Sequence, residues 1–233
     1  MTVMAIGLLI GHAWTFHLVD SRGWRFVGLG ATARRPAPVV MGAALGGLAI
    51  ALPSAGLLAV GWLQLVPAPP GSSLGAAVGA LGVLIPAALW EELFVRGYAF
   101  SVLRERWGAI PAIIVTSQVF GWMHLLNTGA SLRAVLVVIL AGMFLGIVRH
   151  ATQSLYAAWA AHLAWNLVLV AIFHATVSGI TMAAPDYRMI DAGPDWATGG
   201  AWGPEGGAFA AVGLVVATWF VFRRTTRHME PDA

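Results

Sequence analysis

The sequence predicts an all-α fold, a polytopic transmembrane helical bundle of about seven spans. Three observations carry this expectation. Of the 233 residues, 59% are hydrophobic and only 10% are charged, with a mean hydropathy of +0.79. An ordinary soluble domain carries about 25% charged residues, so this chain lacks the means to cover a soluble surface. Apolar segments near the length needed to cross the hydrocarbon core recur along the whole chain. Between them, arginines collect in alternate loops.

Taken in order, the first apolar stretch, 3–19, has no basic n-region and no clear cleavage site. It reads as a retained span and not as a signal peptide. The second, 38–66, is long and places Pro53 near its centre, where a kink or a break is expected. Spans three to six are expected at 74–103, 109–126, 134–149 and 154–177, and a short seventh at 208–222. Glycine pairs four apart, Gly7/Gly11, Gly42/Gly46, Gly75/Gly79 and Gly142/Gly146, suit close helix packing. With no internal repeat and no soluble domain, residues 1–233 read as one integral membrane domain.

There is no cysteine, which excludes disulfides, thiolate metal sites and thiol catalysis. All 13 basic residues are arginine. With the N-terminus outside, Arg22, Arg25, Arg34, Arg35, Arg104, Arg106, Arg149, Arg223, Arg224 and Arg227 fall on one face. Only Arg133 and Arg188 fall on the other, and Arg96 lies inside the third span. The positive-inside rule makes the arginine-rich face cytoplasmic, in a multi-pass protein of the cell (plasma or inner) membrane. The net charge of +3 is therefore topology and implies no nucleic-acid partner. On the opposite face, residues 178–207 hold Asp186, Asp191, Asp195 and Glu205 and read as a solvated extracytoplasmic loop. His12, His17 and His174 lie in or near spans without a motif, while His150 and His228 sit in arginine-rich ends.

An ionisable group at membrane depth costs a few kcal/mol even on the lenient insertion scale, so each marks a candidate site. Three groups stand out. In "WEELFVRG", Glu92 and Arg96 are four apart on one helical face, with glutamate first, the favourable order for an ion pair. Glu91 is rotated about 100° away and is left for other work. In "FGWMHLLN", Phe120 and His124 are four apart, with Asn127 beyond; in "HLAWN", so are His162 and Asn166. At 1.5 Å per residue from ends at Leu103, Ile110 and Ser154, Glu91 lies roughly 18 Å deep, His124 about 21 Å and His162 about 12 Å. Three separately placed polar groups thus share a layer near mid-depth.

The residues leave two chemical routes open. A glutamate in apolar surroundings serves as a general base near neutral pH and can activate a water. A histidine or asparagine then stabilises the oxyanion of an attacked amide. Alternatively Glu91, His124 and His162 supply two nitrogens and one oxygen to a divalent metal such as zinc, with an open position. Both routes end at hydrolysis of a carbonyl compound. H-E-x-x-H is absent.

The ordered set Glu91-Glu92-x-x-x-Arg96, Phe120-x-x-x-His124 and His162-x-x-x-Asn166 resembles the pattern of the CPBP family. That family includes type II CAAX prenyl endopeptidases and the bacteriocin-processing or immunity proteins also called Abi. The resemblance covers about residues 80–175. It implies an intramembrane endopeptidase whose site opens toward the cytoplasm and whose partners are the bilayer and a membrane-associated protein or peptide substrate. Residue by residue, Glu91 would activate the water, His124 and His162 would assist, and Asn166 would serve the oxyanion. Glu92, Arg96 and Phe120 would brace the constellation. Members have been described both as metalloproteases and as glutamate-dependent enzymes. Two rival readings are a non-catalytic immunity or scaffold protein and a transporter using Glu91, His124 and His162 as a proton relay, though the latter lacks the usual repeated halves.

Overall fold

Serine hydroxyls open three of the long helices. Ser72 accepts the Gly75 amide, Ser131 that of Ala134 and Ser154 that of Ala157, so each satisfies one of the orphan donors of a first turn. A computed structural model describes residues 1–227; His228 and the side chains of Arg224 and Arg227 lie outside the described residues. The helices are α1 (Thr2–Leu18), α2 (Gly23–Phe26), α3 (Pro36–Ala59), α4 (Ser73–Arg96), α5 (Tyr98–Trp107), α6 (Ala109–Met123), α7 (Leu132–Thr152), α8 (Leu155–Leu167), α9 (Asp195–Thr198) and α10 (Ala208–Arg227). The fold is an all-α membrane bundle. Five helical segments are long and apolar enough to cross a membrane: 36–59, 73–107, 109–126, 132–152 and 155–172. The apolar helices at Thr2–Leu18 and Ala208–Arg223 are shorter.

Several expected boundaries move for local reasons. The second apolar stretch is helical only to Ala59. Gly61, at φ +76°, closes α3 with a paired hydrogen-bond cap: the Trp62 amide donates to Leu57 O and the Gly61 amide to Leu58 O. The chain then runs as strand β1 (Leu63–Pro67), antiparallel to β2 (Tyr187–Asp191), with Leu65 opposite Met189. Pro53, expected to break the helix, lies inside an unbroken α3. It leaves the Ala49 carbonyl without its helical donor, and Gly213 of α10 packs against that oxygen; a Cβ there would meet it at 2.0 Å.

The third stretch is two helices. It breaks at Gly97, where His12 of α1 accepts the Tyr98 amide at 3.2 Å. The sixth stretch leaves α-helical geometry after Leu167 and makes one π-turn, Val168–Ile172, well short of residue 177.

The arginine-rich segments gather at one end of the bundle. Arg22 pairs with Asp20 and Glu105, Arg104 with Gln153, and Arg34 with Tyr156. Asp20 also accepts the Tyr98 hydroxyl at 2.9 Å, which ties the end of α1 to α5. Hydrogen bonds from Arg22 hold the Asp20 carboxyl well below the usual carboxylate range, against the opposing effect of partial burial. A folded-state pKa that is depressed stabilises above the unfolded value, near 4, and is lost as pH falls below it. The difference in thermal midpoint between wild type and Asp20→Asn is therefore expected to hold constant at neutral pH and to shrink below about pH 4. Melting curves of both proteins across pH in detergent check this.

Helix α8, which carries two candidate site residues, is set against α3 by glycines. A Cβ on Gly42 would meet Ala157 O at 2.3 Å, and one on Gly46 would meet Ala161 O at 2.1 Å. A backbone obstacle cannot rotate away, so Gly46→Ala is expected to cost about 1–3 kcal/mol. Gly79 has nothing within 4 Å of such a Cβ, and Gly79→Ala is expected to leave the midpoint unchanged. Thermal midpoints of the two variants in one detergent make the comparison.

Candidate active site

Helix α4 brings Glu91, Glu92 and Arg96; the turn His124–Leu126 after α6 brings His124; α8 brings His162 and Asn166. All of them meet on the inside of the bundle. Glu92 and Arg96 are both fully buried and form the i,i+4 pair at 3.1 Å. Its Nη2 donates to Gly142 O at 3.0 Å, and the guanidinium lies over the Phe120 ring, 4.3 Å from its centroid, while Nε has no hydrogen-bond partner. Gly142 is needed there: a Cβ would stand 3.0 Å from Ser117 Cα and 3.2 Å from the guanidinium. A buried pair with such partners avoids the penalty of an isolated charge.

The same Glu92 oxygen receives His162 Nδ1 at 3.0 Å. His124 Nδ1 faces the Phe120 carbonyl at 2.7 Å. A carbonyl carries no proton, so Nδ1 of His124 is the donor; the ionised Glu92 imposes the same tautomer on His162. An imidazole with its single proton on Nδ1 carries its lone pair on Nε2. Both lone pairs are spent on one target. Glu91 Oε2 lies 3.9 Å from His124 Nε2 and 3.8 Å from His162 Nε2. This oxygen is buried and has no hydrogen-bond partner. Three acceptors thus surround one point and lack a donor among them.

A water fits there, donating one hydrogen to Glu91 Oε2 and the other to an Nε2, since two acceptors nearly 4 Å apart can share one molecule at ordinary hydrogen-bond lengths. Zinc fits less well. Tetrahedral ligation at about 2.1 Å places ligand atoms about 3.4 Å apart, closer than these. Among the described residues no group of three His, Cys, Asp or Glu is arranged to hold a metal ion. The donor set as positioned does not fit a metal.

Asn166, nearly buried, makes no hydrogen bond to another described residue. It lines a cavity of about 40 Å³ together with His124 and His162, enough room for a few waters. Much of the remaining wall is apolar, from Val137, Val138, Ala141 and Phe144 of α7 and Leu214 of α10.

Part of segment 178–207 also reaches this cavity: Asp186, Asp191 and Asp195 are exposed, as a solvated loop requires, but residues 202–207 are buried, which corrects that expectation for Glu205. Trp202 is fully buried, with its ring 6.3 Å from that of His124. Glu205, 6% exposed, lines the cavity itself. Its carboxylate accepts the Trp165 indole at 2.7 Å and both the amide and the hydroxyl of Ser178. Sequence reasoning missed Glu205 because its loop is rich in glycine and acids, the composition of a surface turn. The signal present was Trp202 and Trp196 within that stretch. His12 was also passed over; it is buried and holds the α4–α5 break.

The fold and the site define a polytopic helical membrane protein in which a carboxylate with one buried oxygen faces two imidazoles. Residues 73–168 match the family described as type II CAAX prenyl endopeptidase, Rce1-like. Over that segment the chain is similar to this intramembrane protease family, in agreement with the order of its motifs. The matched segment contains every candidate site residue from Glu91 to Asn166. No curated protein and no solved structure matches the chain.

Proposed function

We propose that the chain is an intramembrane endopeptidase that cleaves membrane-associated proteins or peptides with a water activated by Glu91. One observation carries the reading: an unpartnered buried carboxylate oxygen stands within 4 Å of two Nε2 atoms whose tautomers turn their lone pairs onto it. Glu91 takes the proton of the attacking water and passes it to the leaving amine. The carbonyl oxygen becomes an oxyanion, for which the Asn166 amide supplies a donor. An imidazole that takes up a proton during the cycle adds an Nε2–H to the same task. Glu92, Arg96 and Phe120 hold the two rings in their tautomers and act as positioning residues. Scission needs no bound group beyond the water. The arginine-rich end lies in the cytoplasm and the N-terminus outside, in the cell membrane. The test is to reconstitute wild type and Glu91→Gln with membrane proteins of the host and to compare the new N-termini each produces. Wild-type-specific cleavage supports the reading; identical N-terminal profiles overturn it.

A further inference from the structure

Glu205 belongs to no motif, yet its carboxylate joins three separate parts of the chain. It receives the indole of Trp165, which directly precedes Asn166 and follows His162 by three on α8. It also receives the Ser178 amide and hydroxyl. The Ser178 carbonyl in turn accepts Asn127 Nδ2 at 3.1 Å, three residues after His124. A polar strap therefore runs from the His124 turn through Ser178 and Glu205 to the His162–Asn166 helix. All of Glu205's donors are neutral, so no cation competes for its position. Ser178 sits at φ +49°, a left-handed conformation that a serine holds only when its surroundings fix it. Gly179, at φ +76°, packs so closely that a Cβ would meet Thr128 O at 1.8 Å. Its amide donates to Trp202 O, and Trp202 covers His124.

We propose that Glu205 is the positioning residue of this cavity: it clasps segment 178–206 as a roof over the extracytoplasmic end and sets His124 against His162 and Asn166. The proposal stands on the strap's geometry and holds whether or not the site hydrolyses peptides. It makes the cavity closed to water-borne reagents from that end, with entry left to the bilayer side or the arginine-rich end.

The chain has no cysteine, so a single thiol can report on closure. Val138→Cys is close in size and lines the cavity from α7. Its labelling by a hydrophilic maleimide is measured on the full-length protein in detergent, alone and combined with Glu205→Gln. Glutamine can accept from Ser178 or from Trp165 but presents an N–H to the other, so the strap opens. Labelling is expected to rise about tenfold or more, since bonds to a charged acceptor are lost and local opening follows. In ¹⁵N-histidine-labelled protein the His124 resonances are expected to move, while those of His12, outside the strap, stay in place. Unchanged labelling, or faster labelling with His124 unmoved, overturns the proposal. If Glu205→Gln does not fold, Trp165→Phe and Ser178→Ala each remove one bond. Faster labelling in either supports the clasp; wild-type rates in both overturn it.

Discussion

Glu91→Gln is expected to lose about 10²–10⁴-fold in peptide cleavage, the usual contribution of a positioned general base, while its melting profile matches wild type. The amide keeps the size of the side chain. It cannot accept a proton from water, and it offers an N–H to one of the two imidazole lone pairs. The Glu91 oxygen has no hydrogen bond to lose, so the fold does not depend on it. That separation gives the experiment its force. A variant that keeps its stability and its turnover would exclude Glu91 as base. A variant that unfolds would mean that the carboxylate is structural. Asn166→Ala is the companion: it keeps the base and removes an oxyanion donor, a loss typically of 10²–10³-fold. Quantifying substrate-derived N-termini for both proteins, beside their thermal midpoints, decides the roles.

Arg96→Met is expected to act through stability. It leaves the fully buried Glu92 carboxylate with His162 as its remaining partner. Removing one member of a buried pair costs about 3–5 kcal/mol. A chain of this size shifts its midpoint by about 2–4 °C for each kcal/mol, so a drop near 10 °C is expected. Arg96→Lys should fall between, because an ammonium cannot bridge Glu92 and the Gly142 carbonyl while lying flat on Phe120. The double variant Glu92→Leu/Arg96→Met removes both charges and is expected to recover much of the midpoint. It should stay largely inactive, since His162 Nδ1 has lost the carboxylate that fixes its tautomer. Full recovery of cleavage in the double variant would show that the pair only supports folding.

What was legible in the sequence was local. Mean hydropathy and the spacing of apolar segments required membrane helices, because a backbone in lipid must satisfy its hydrogen bonds within itself. The i,i+4 rule paired Glu92 with Arg96 and set Glu91 apart, since helical geometry fixes which side chains are neighbours. The same rule placed Phe120 below His124. Arginines separated by whole spans could be sorted to one end by counting crossings.

The tertiary structure decided what depends on contacts across long separations. His162 meets Glu92 over 70 residues and Trp165 meets Glu205 over 40; no periodicity encodes such a meeting. Which nitrogen of His162 faces Glu91 follows from a carboxylate contributed by another helix. The break at Gly97 comes from His12, far upstream. The strand pair 63–67 with 187–191 exists because a left-handed Gly61 ends α3 and a distant segment supplies the partner. Segment 178–206 has the composition of a solvated loop, and the burial of its end, residues 202–206, was settled by one carboxylate finding three donors inside the bundle. The sequence by itself determined a helical membrane protein and singled out the candidate residues of its site. Only the packed chain decided their orientation and the roof above them, because burial and hydrogen-bond satisfaction are properties of the whole fold.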